Sequence, residues 1–238
     1  MKRHLKRLAA PATWNVKRKS TKFIARAFPS GHPMDMCVPL AVFMTEIGSY
    51  AKTTKEVKTI IHEKQILVNG RRKHDHRSAV GFLDVVEMGD AQETLRVIID
   101  RKGKIAYIKV PAKEANSKVC KIIGKTALSG NKLQLNLNDG QNFLITLKDK
   151  YKVGDSVVVD IKNNKITEHL PMEKNATVFL IEGKQIGHIG KVADLDQENI
   201  TITLESGAEY KTRKSCAFVV GKDHPAVTVQ EQEAHNKE

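Results

Sequence analysis

The stretch Thr53-Thr54-Lys55-Glu56-Val57-Lys58-Thr59-Ile60-Ile61-His62-Glu63-Lys64-Gln65-Ile66-Leu67-Val68-Asn69-Gly70-Arg71-Arg72-Lys73 changes its hydrophobic period in the middle, and that change sets the fold class. Thr53 stands three residues before Glu56, the spacing at which two side chains satisfy the free N–H groups of a helix start. Val57, Ile60 and Ile61 follow at i, i+3 and i+4, so one stripe of the helix is buried. Lys52, Lys55, Lys58 and Lys64 fall away from that stripe. From Ile66 an aliphatic run ends on Asn69-Gly70, a strong two-residue hairpin signal because both central positions of a type I′ turn need φ > 0. Arg71-Arg72-Lys73 leaves the turn directly. A helix followed at once by a hairpin makes the class α+β.

Working outward, Leu40, Val42, Phe43, Met44 and Ile47 predict a largely apolar helix from Pro39 to about Tyr50. Downstream, Val85-Val86 and Leu95–Ile99 read as strands, so residues 39–104 form one small α+β unit. From Ile105 the pattern is almost entirely β. Leu133, Leu135 and Leu137 alternate up to Asp139-Gly140, and Phe143, Ile145 and Leu147 alternate back. Ser156–Ile161 forms another strand, closed by Asn163-Asn164. A break at Leu170-Pro171-Met172 reads as a linker between a central β-barrel-like domain, 105–170, and a second small barrel, 171–221. The second barrel takes strands at Thr177–Ile181, Ile186–Val192, Ile200–Leu204, Ala208–Thr212 and Ala217–Val220, a spacing typical of small barrels. Residues 222–238 are polar and acidic-leaning, and a frayed tail is expected there.

The formal net charge of +13 and a pI near 9.6 call for an anionic partner. Nine of those charges lie in residues 1–30, as Lys2, Arg3, Lys6, Arg7, Lys17, Arg18, Lys19, Lys22 and Arg26, and the first acid is Asp35. A basic segment this segregated reads as an arm, 1–38, that neutralises phosphates. Trp14 among the cations is expected to stack on a base or to anchor on protein. Having no core of its own, the arm is expected to order only against a partner. The bland alternatives are a solubilising tail or a cleaved targeting peptide. Pro11, Pro29 and Pro33 interrupt the long helix that the targeting peptide would need. Aromatic residues are only 5% of the chain, so the shape and phosphates of folded RNA, rather than base-by-base stacking, are the main target.

Several other signals point nowhere. Cys37, Cys120 and Cys216 have no metal-site or disulfide spacing, and they read as thiols of a reducing compartment. No apolar run approaches the ~20 residues of a membrane span. Gly124-Lys125-Thr126 resembles the end of a phosphate-binding loop, but Val119 stands where the first glycine is required, and its flanks read as strand. His74-x-His76 lacks a third ligand and adds instead to a basic surface. Asn175-Ala176-Thr177 and Asn199-Ile200-Thr201 are glycosylation sites in form only. No elbow or Cys/His signature points to covalent catalysis.

Three of these stretches carry resemblances. His4, Lys6, Arg7, Pro11, Trp14, Lys17 and Arg18 meet, in order, the N-terminal signature of the S4e family of small-subunit ribosomal proteins. The segment 53–86, through Glu56-Val57, Ile60-Ile61, Ile66–Gly70 and Asp84–Val86, is similar to the alpha-L motif of bacterial ribosomal protein S4 and of several RNA-modifying enzymes. Gly183-Lys184-Gln185-Ile186-Gly187-His188-Ile189-Gly190-Lys191-Val192 resembles a KOW motif, whose glycines permit tight bends in an SH3-like barrel. The order of these elements is that of S4e. The resemblance implies a structural, non-enzymatic constituent of the small ribosomal subunit. Such a protein is cytoplasmic and ribosome-bound, and it contacts small-subunit ribosomal RNA and neighbouring ribosomal proteins. The resemblance implies no cofactor, metal, membrane or small-molecule substrate. The sequence stops soon after the KOW-like stretch, which makes an archaeal-type member the expectation. The implied RNA-binding residues are Lys2, Arg3, His4, Lys6, Arg7, Trp14, Lys17, Arg18, Lys19, Lys22 and Arg26 of the arm. The alpha-L unit adds Lys52, Lys55, Lys58, Arg71, Arg72, Lys73 and Arg77. One alternative is an RNA-modifying enzyme, although about 65 residues between the alpha-L unit and the KOW-like stretch are few for a catalytic domain of ~100. The other is a transcription or translation factor that carries a KOW barrel.

Overall fold

Residues 5–24 close on themselves through two short antiparallel strands, β1 (Leu5–Lys6) and β2 (Phe23–Ile24), in a computed structural model that describes residues 4–89, 93–146, 150–204 and 207–230. The loop so formed does not wait for another molecule. Ala10 and Trp14 are buried in the same cluster as Leu40, Phe43, Val57 and Ile61, with Leu5, Val16 and Ile24 packed against it. The expectation that the arm orders only against a partner is corrected: its partner is the body of its own chain, which supplies the apolar surface that the arm lacks.

After β3 (Cys37–Pro39) the chain enters α1 (Leu40–Val42), which widens into a π turn over Phe43–Ile47. The helix predicted as far as Tyr50 is therefore shorter. Gly48 N–H reaches the Phe43 carbonyl, Ser49 takes φ +55°, and the Tyr50 and Ala51 N–H groups both fold back to Met44. Val38–Met44 is buried throughout, so packing on all sides, not one amphipathic stripe, shapes this turn. The next helix, α2 (Thr54–Glu63), starts as the spacing requires: Thr53 Oγ1 accepts the Glu56 N–H, and the Glu56 carboxylate accepts the Lys52 N–H. Then follow β4 (Ile66–Val68), β5 (Arg71–Arg72), β6 (Ala79–Gly81), β7 (Val85–Met88), β8 (Glu93–Ile99) and β9 (Ile105–Lys109). Asn69 and Gly70 both have positive φ, +50° and +66°. The sheet runs β5-β4-β7-β8-β9, antiparallel throughout, and β3 pairs with β6 beside it.

The twelve-residue strand β10 (Ser117–Leu128) organises the second sheet with β11 (Lys132–Leu137), β12 (Asn142–Thr146), β13 (Ser156–Asp160) and β14 (Lys165–Leu170), in the order β12-β11-β10-β13-β14. Ser117–Lys121 pairs with β13 and Ile122–Leu128 with β11, with a register shift between Ile122 and Gly124. Gly124-Lys125-Thr126 thus lies inside a strand. Cys120, Ile122, Leu135, Leu137, Phe143, Val157 and Val159 fill this sheet's core. The third sheet, β18-β17-β16-β15-β19, comprises β15 (Thr177–Leu180), β16 (Ile189–Leu195), β17 (Asn199–Leu204), β18 (Glu209–Arg213) and β19 (Ala217–Gly221). Its β16 begins three residues later than predicted. Gly187, at φ +79°, presses its backbone on Asp100–Arg101, where an added Cβ would lie 2.6 Å from the Arg101 nitrogen.

The chain is mostly β, with few and short helices, and its pieces share interior. Phe82, Leu83, Ile99, Val119 and Val158 belong to the same buried cluster as the C-terminal strands. The expected fraying after Lys222 is also corrected for the described residues. Val227 and Val229 are buried in that cluster, and Thr228 bonds to Glu114 through both its N–H and its hydroxyl. Their apolar side chains were hidden in the sequence by the polar residues around them. Residues 231–238 lie outside the described part.

Candidate nucleic-acid interface

Arg7 and Trp14, both expected on RNA, are turned inward. The Arg7 guanidinium donates to Thr21 Oγ1 at 3.0 Å, to the Lys17 carbonyl at 2.8 Å and to the Glu46 carboxylate at 2.9 Å. Trp14 is 1% exposed, and its Nε1–H donates to the Cys37 carbonyl at 2.8 Å. Both residues clamp the arm to the protein, so the anchoring role expected of Trp14 holds and the stacking role does not. Arg18 is half-buried and forks onto the carbonyls of Leu8, Ala10 and Pro11, which are neutral and leave its charge uncancelled. Lys2 and Arg3 fall outside the described residues.

The clamps fix the arm's remaining cations outward. His4, Lys6, Lys17, Lys19 and Lys22 are exposed, and Arg26 is half-buried. A second group stands on α2 and the hairpin. Lys52, Lys55 and Lys58 are exposed while Val57 and Ile61 of the same helix are buried, and Arg71 and Arg72 are exposed on β5. The turn that carries them is held from below: Asn69 Nδ2 donates to Asp84 at 2.8 Å, and Asn69 Oδ1 accepts the Val85 N–H at 2.9 Å. Lys73 is half-buried, as is Arg77, whose guanidinium lies 4.2 Å over the Phe28 ring. Partial burial, with Lys58 and Arg77 nearby, holds the His76 imidazole below its ordinary value against the opposing pull of Asp75. The Phe28 N–H donates to the Arg77 carbonyl at 2.9 Å, so this end of the arm lies beside the 74–77 loop.

Among the described residues, Lys6, Lys17, Lys19, Lys22, Lys52, Lys55, Lys58, Arg71 and Arg72 make no salt bridge. On the later strands and loops, Lys109, Lys174, Lys211 and Lys222 close on Glu93, Asp194, Asp196 and Glu168 at 2.5–3.3 Å, whereas Lys125, Lys132, Lys162, Lys184 and Lys191 are exposed there without a salt bridge among the described residues. Exposed, unpaired cations in an arm without acids concentrate positive potential around it.

The interior also holds a buried ionic bolt that the sequence did not reveal, because its members come from four distant segments. Lys118 Nζ donates to Asp84 at 2.7 Å and to Asp139 at 2.9 Å, and the His32 ring lies 3.5 Å from Asp84. Burial alone would raise the Asp84 carboxyl, but Lys118 and His32 hold it far below the usual carboxylate range. Burial would likewise lower Lys118, yet Asp84 and Asp139 hold it above the ordinary lysine value. The bolt positions and does not itself face a ligand. It ties the Asn69-Gly70 turn to β10. Also unforeseen are two exposed rings of the arm, Phe23 and Phe28. In the sequence a two-residue strand is too short to show an alternation that would put Phe23 outside and Ile24 inside.

Among the described residues no group of three or more His, Cys, Asp or Glu is placed to hold a metal ion, and no helix is long and apolar enough to cross a membrane. A model of the ribosomal family S4e matches residues 91–166, and one of the RS4NT (NUC023) domain matches residues 1–35. The small ribosomal subunit protein eS4 of Methanocaldococcus jannaschii is 38% identical, covering 95% of this chain and 97% of that protein. Its counterpart in Methanocella arvoryzae is 37% identical over 94% and 96%. The crystal structure of the 30S ribosomal protein S4e from Thermoplasma acidophilum superposes with a TM-score of 0.68 at 25% identity, covering 79% of this chain and 96% of that one. With archaeal relatives matched over nearly its whole length, the chain belongs to the S4e family of ribosomal proteins.

Proposed function

We propose that this chain is a structural constituent of the small ribosomal subunit and grips folded ribosomal RNA through phosphates and shape. The single observation that carries the RNA-binding part is the arm itself: buried Arg7 and Trp14 fasten it to the body, and Lys6, Lys17, Lys19 and Lys22 stay exposed and, among the described residues, without a salt bridge in a stretch that has no acid before Asp35. Family membership supports the ribosomal and non-enzymatic part. The contacting residues are then His4, Lys6, Lys17, Arg18, Lys19, Lys22 and Arg26, together with Lys52, Lys55, Lys58, Arg71, Arg72, Lys73 and Arg77. Lys2 and Arg3 extend the same charge toward the N-terminus. Arg7 and Trp14 serve by holding the arm in place.

We read residues 39–104 as an alpha-L unit, 105–170 as a central β domain and 171–221 as a KOW-type barrel. The helix followed by a basic hairpin supports the first, and the five-stranded antiparallel order of the last two sheets supports the others. The protein would act in the cytoplasm, among neighbouring ribosomal proteins. The test is sedimentation: stoichiometric migration with small subunits through a moderate-salt gradient is expected. Protein confined to the top of the gradient would favour a transient factor carrying a KOW barrel.

A further inference from the structure

The arm keeps two phenylalanines in water, and burial does not explain them. Phe23 is 50% exposed and Phe28 is 40% exposed, although neighbouring Ile24 and Ala25 pack on the core. Each ring already carries a cation on one side. Lys22 Nζ lies 5.6 Å from the Phe23 centroid, with the His4 ring 5.7 Å away and tilted by 50°, and the Arg77 guanidinium lies 4.2 Å from the Phe28 centroid. Arg77 Nε is buried, makes no hydrogen bond and lies 3.6 Å from the Asp75 carboxylate.

From this geometry we infer that Phe23 and Phe28 are stacking platforms for unpaired nucleobases of RNA. The inference deepens the RNA-binding function proposed above and rests on it. A protein partner with an apolar knob would need an acidic rim to meet Lys6, Lys17, Lys19 and Lys22, and the arm carries no acid before Asp35 to answer basic groups in such a rim. A nucleotide supplies both complements in one unit: a flat π face for the ring and a phosphate for the ammonium beside it. A base laid on Phe23 brings its phosphate into reach of a cation already poised there, and the guanidinium over Phe28 does the same for a second base. The low aromatic content of the whole chain is no obstacle, because two platforms are a local supplement to phosphate binding. Trp14, the aromatic residue that stands out in the sequence, is not one of them.

The experiment uses the full chain and protein-free small-subunit ribosomal RNA. Phe23→Leu and Phe28→Leu keep apolar bulk and remove the π face. Each is expected to weaken binding about tenfold, within the range for a lost base stack. The slope of log K against log salt is expected to stay unchanged, since every phosphate-binding cation is kept. Phe23→Tyr should restore wild-type affinity. Unchanged affinity in both leucine variants would overturn the inference while leaving the RNA-binding function standing. Absence of wild-type binding would overturn both, so the two failures are distinguishable. Independently of any variant, ultraviolet crosslinking of the wild-type complex should place nucleotide adducts on the peptides containing Phe23 and Phe28. Adducts confined to other segments would count against the platforms.

Discussion

At Trp14 one side chain serves as a small core. Its indole is buried, and its N–H is committed to the Cys37 carbonyl. Trp14→Ala should therefore destabilise the protein by about 3–5 kcal/mol, read from urea unfolding. Trp14→Phe should cost less, chiefly for the carbonyl left unpaired, about 1–3 kcal/mol. At Lys118 the expectation depends on pH. Asp84 and Asp139 lie below their ordinary values in the folded chain, so the unfolded chain takes up protons first as pH falls. Their contribution is complete at neutral pH and is lost as pH drops below about 4 toward the folded values. Lys118 is shifted upward, so its share is complete at neutral pH and fades only on the alkaline side, above the ordinary lysine range. Lys118→Met leaves two buried carboxylates uncompensated and should cost about 3–5 kcal/mol at pH 7. That loss should shrink in acid, where both carboxyls protonate. Unfolding curves for wild type and variant at pH 7 and pH 3 check this, and parallel losses at both pH values would refute it.

Among the elements, the arm is where sequence and structure differ most. Its charge segregation and its signature residues were legible, because net charge and spacing are properties of the chain itself. The direction of each side chain was not, because the apolar surface that receives Ala10 and Trp14 is made by Leu40, Phe43 and Ile61, which lie far along the chain. This alters what a deletion would show. On sequence alone, removing residues 2–26 should spare the fold of 39–220. With Trp14 in the core, that deletion should instead lower the melting temperature clearly in calorimetry. The clean probe of charge is Lys6, Lys17, Lys19 and Lys22 changed together to Gln. All four are exposed, so stability should hold while the salt slope of RNA binding flattens by about 0.7–0.9 for each phosphate no longer neutralised. An unchanged slope would show that these lysines do not meet phosphates. The hairpin after α2 was legible because local turn chemistry dictates it. The π turn over Phe43–Ile47 and the polar strand β14 were not, because packing and register place them.

Across the whole molecule, the three sheets were foreseeable from the short, regular strand spacing, whereas the joints between them were not. Those joints are made by residues that look ordinary in sequence. Gly31 meets the backbone of Asp139-Gly140 so closely that an added Cβ would fall 1.9 Å from the Asp139 carbonyl oxygen. Arg96 is fully buried and donates to Glu114, to Ser117 and to the Thr228 carbonyl. Lys121 Nζ donates to the carbonyls of Lys214, Ser215 and Ala217, tying β10 to the chain that leads into β19. Ending the chain at Lys222 should therefore cost far more than trimming a tail. It removes Val227 and Val229 from the interior and a carbonyl from Arg96, and a marked drop in melting temperature is expected.

The bond from Arg96 to Thr228 spans 132 residues. At about 5–20 residues per second, a translating ribosome needs roughly 7–26 s to make that interval. The first sheet can assemble during that time, with the Arg96 guanidinium held by Glu114 and Ser117, but its bond to Thr228 must wait until the chain beyond β19 emerges. This interior is thus completed only after Thr228 has been made. A nascent chain released early would carry an open seam beside β8, where quality-control proteases find entry.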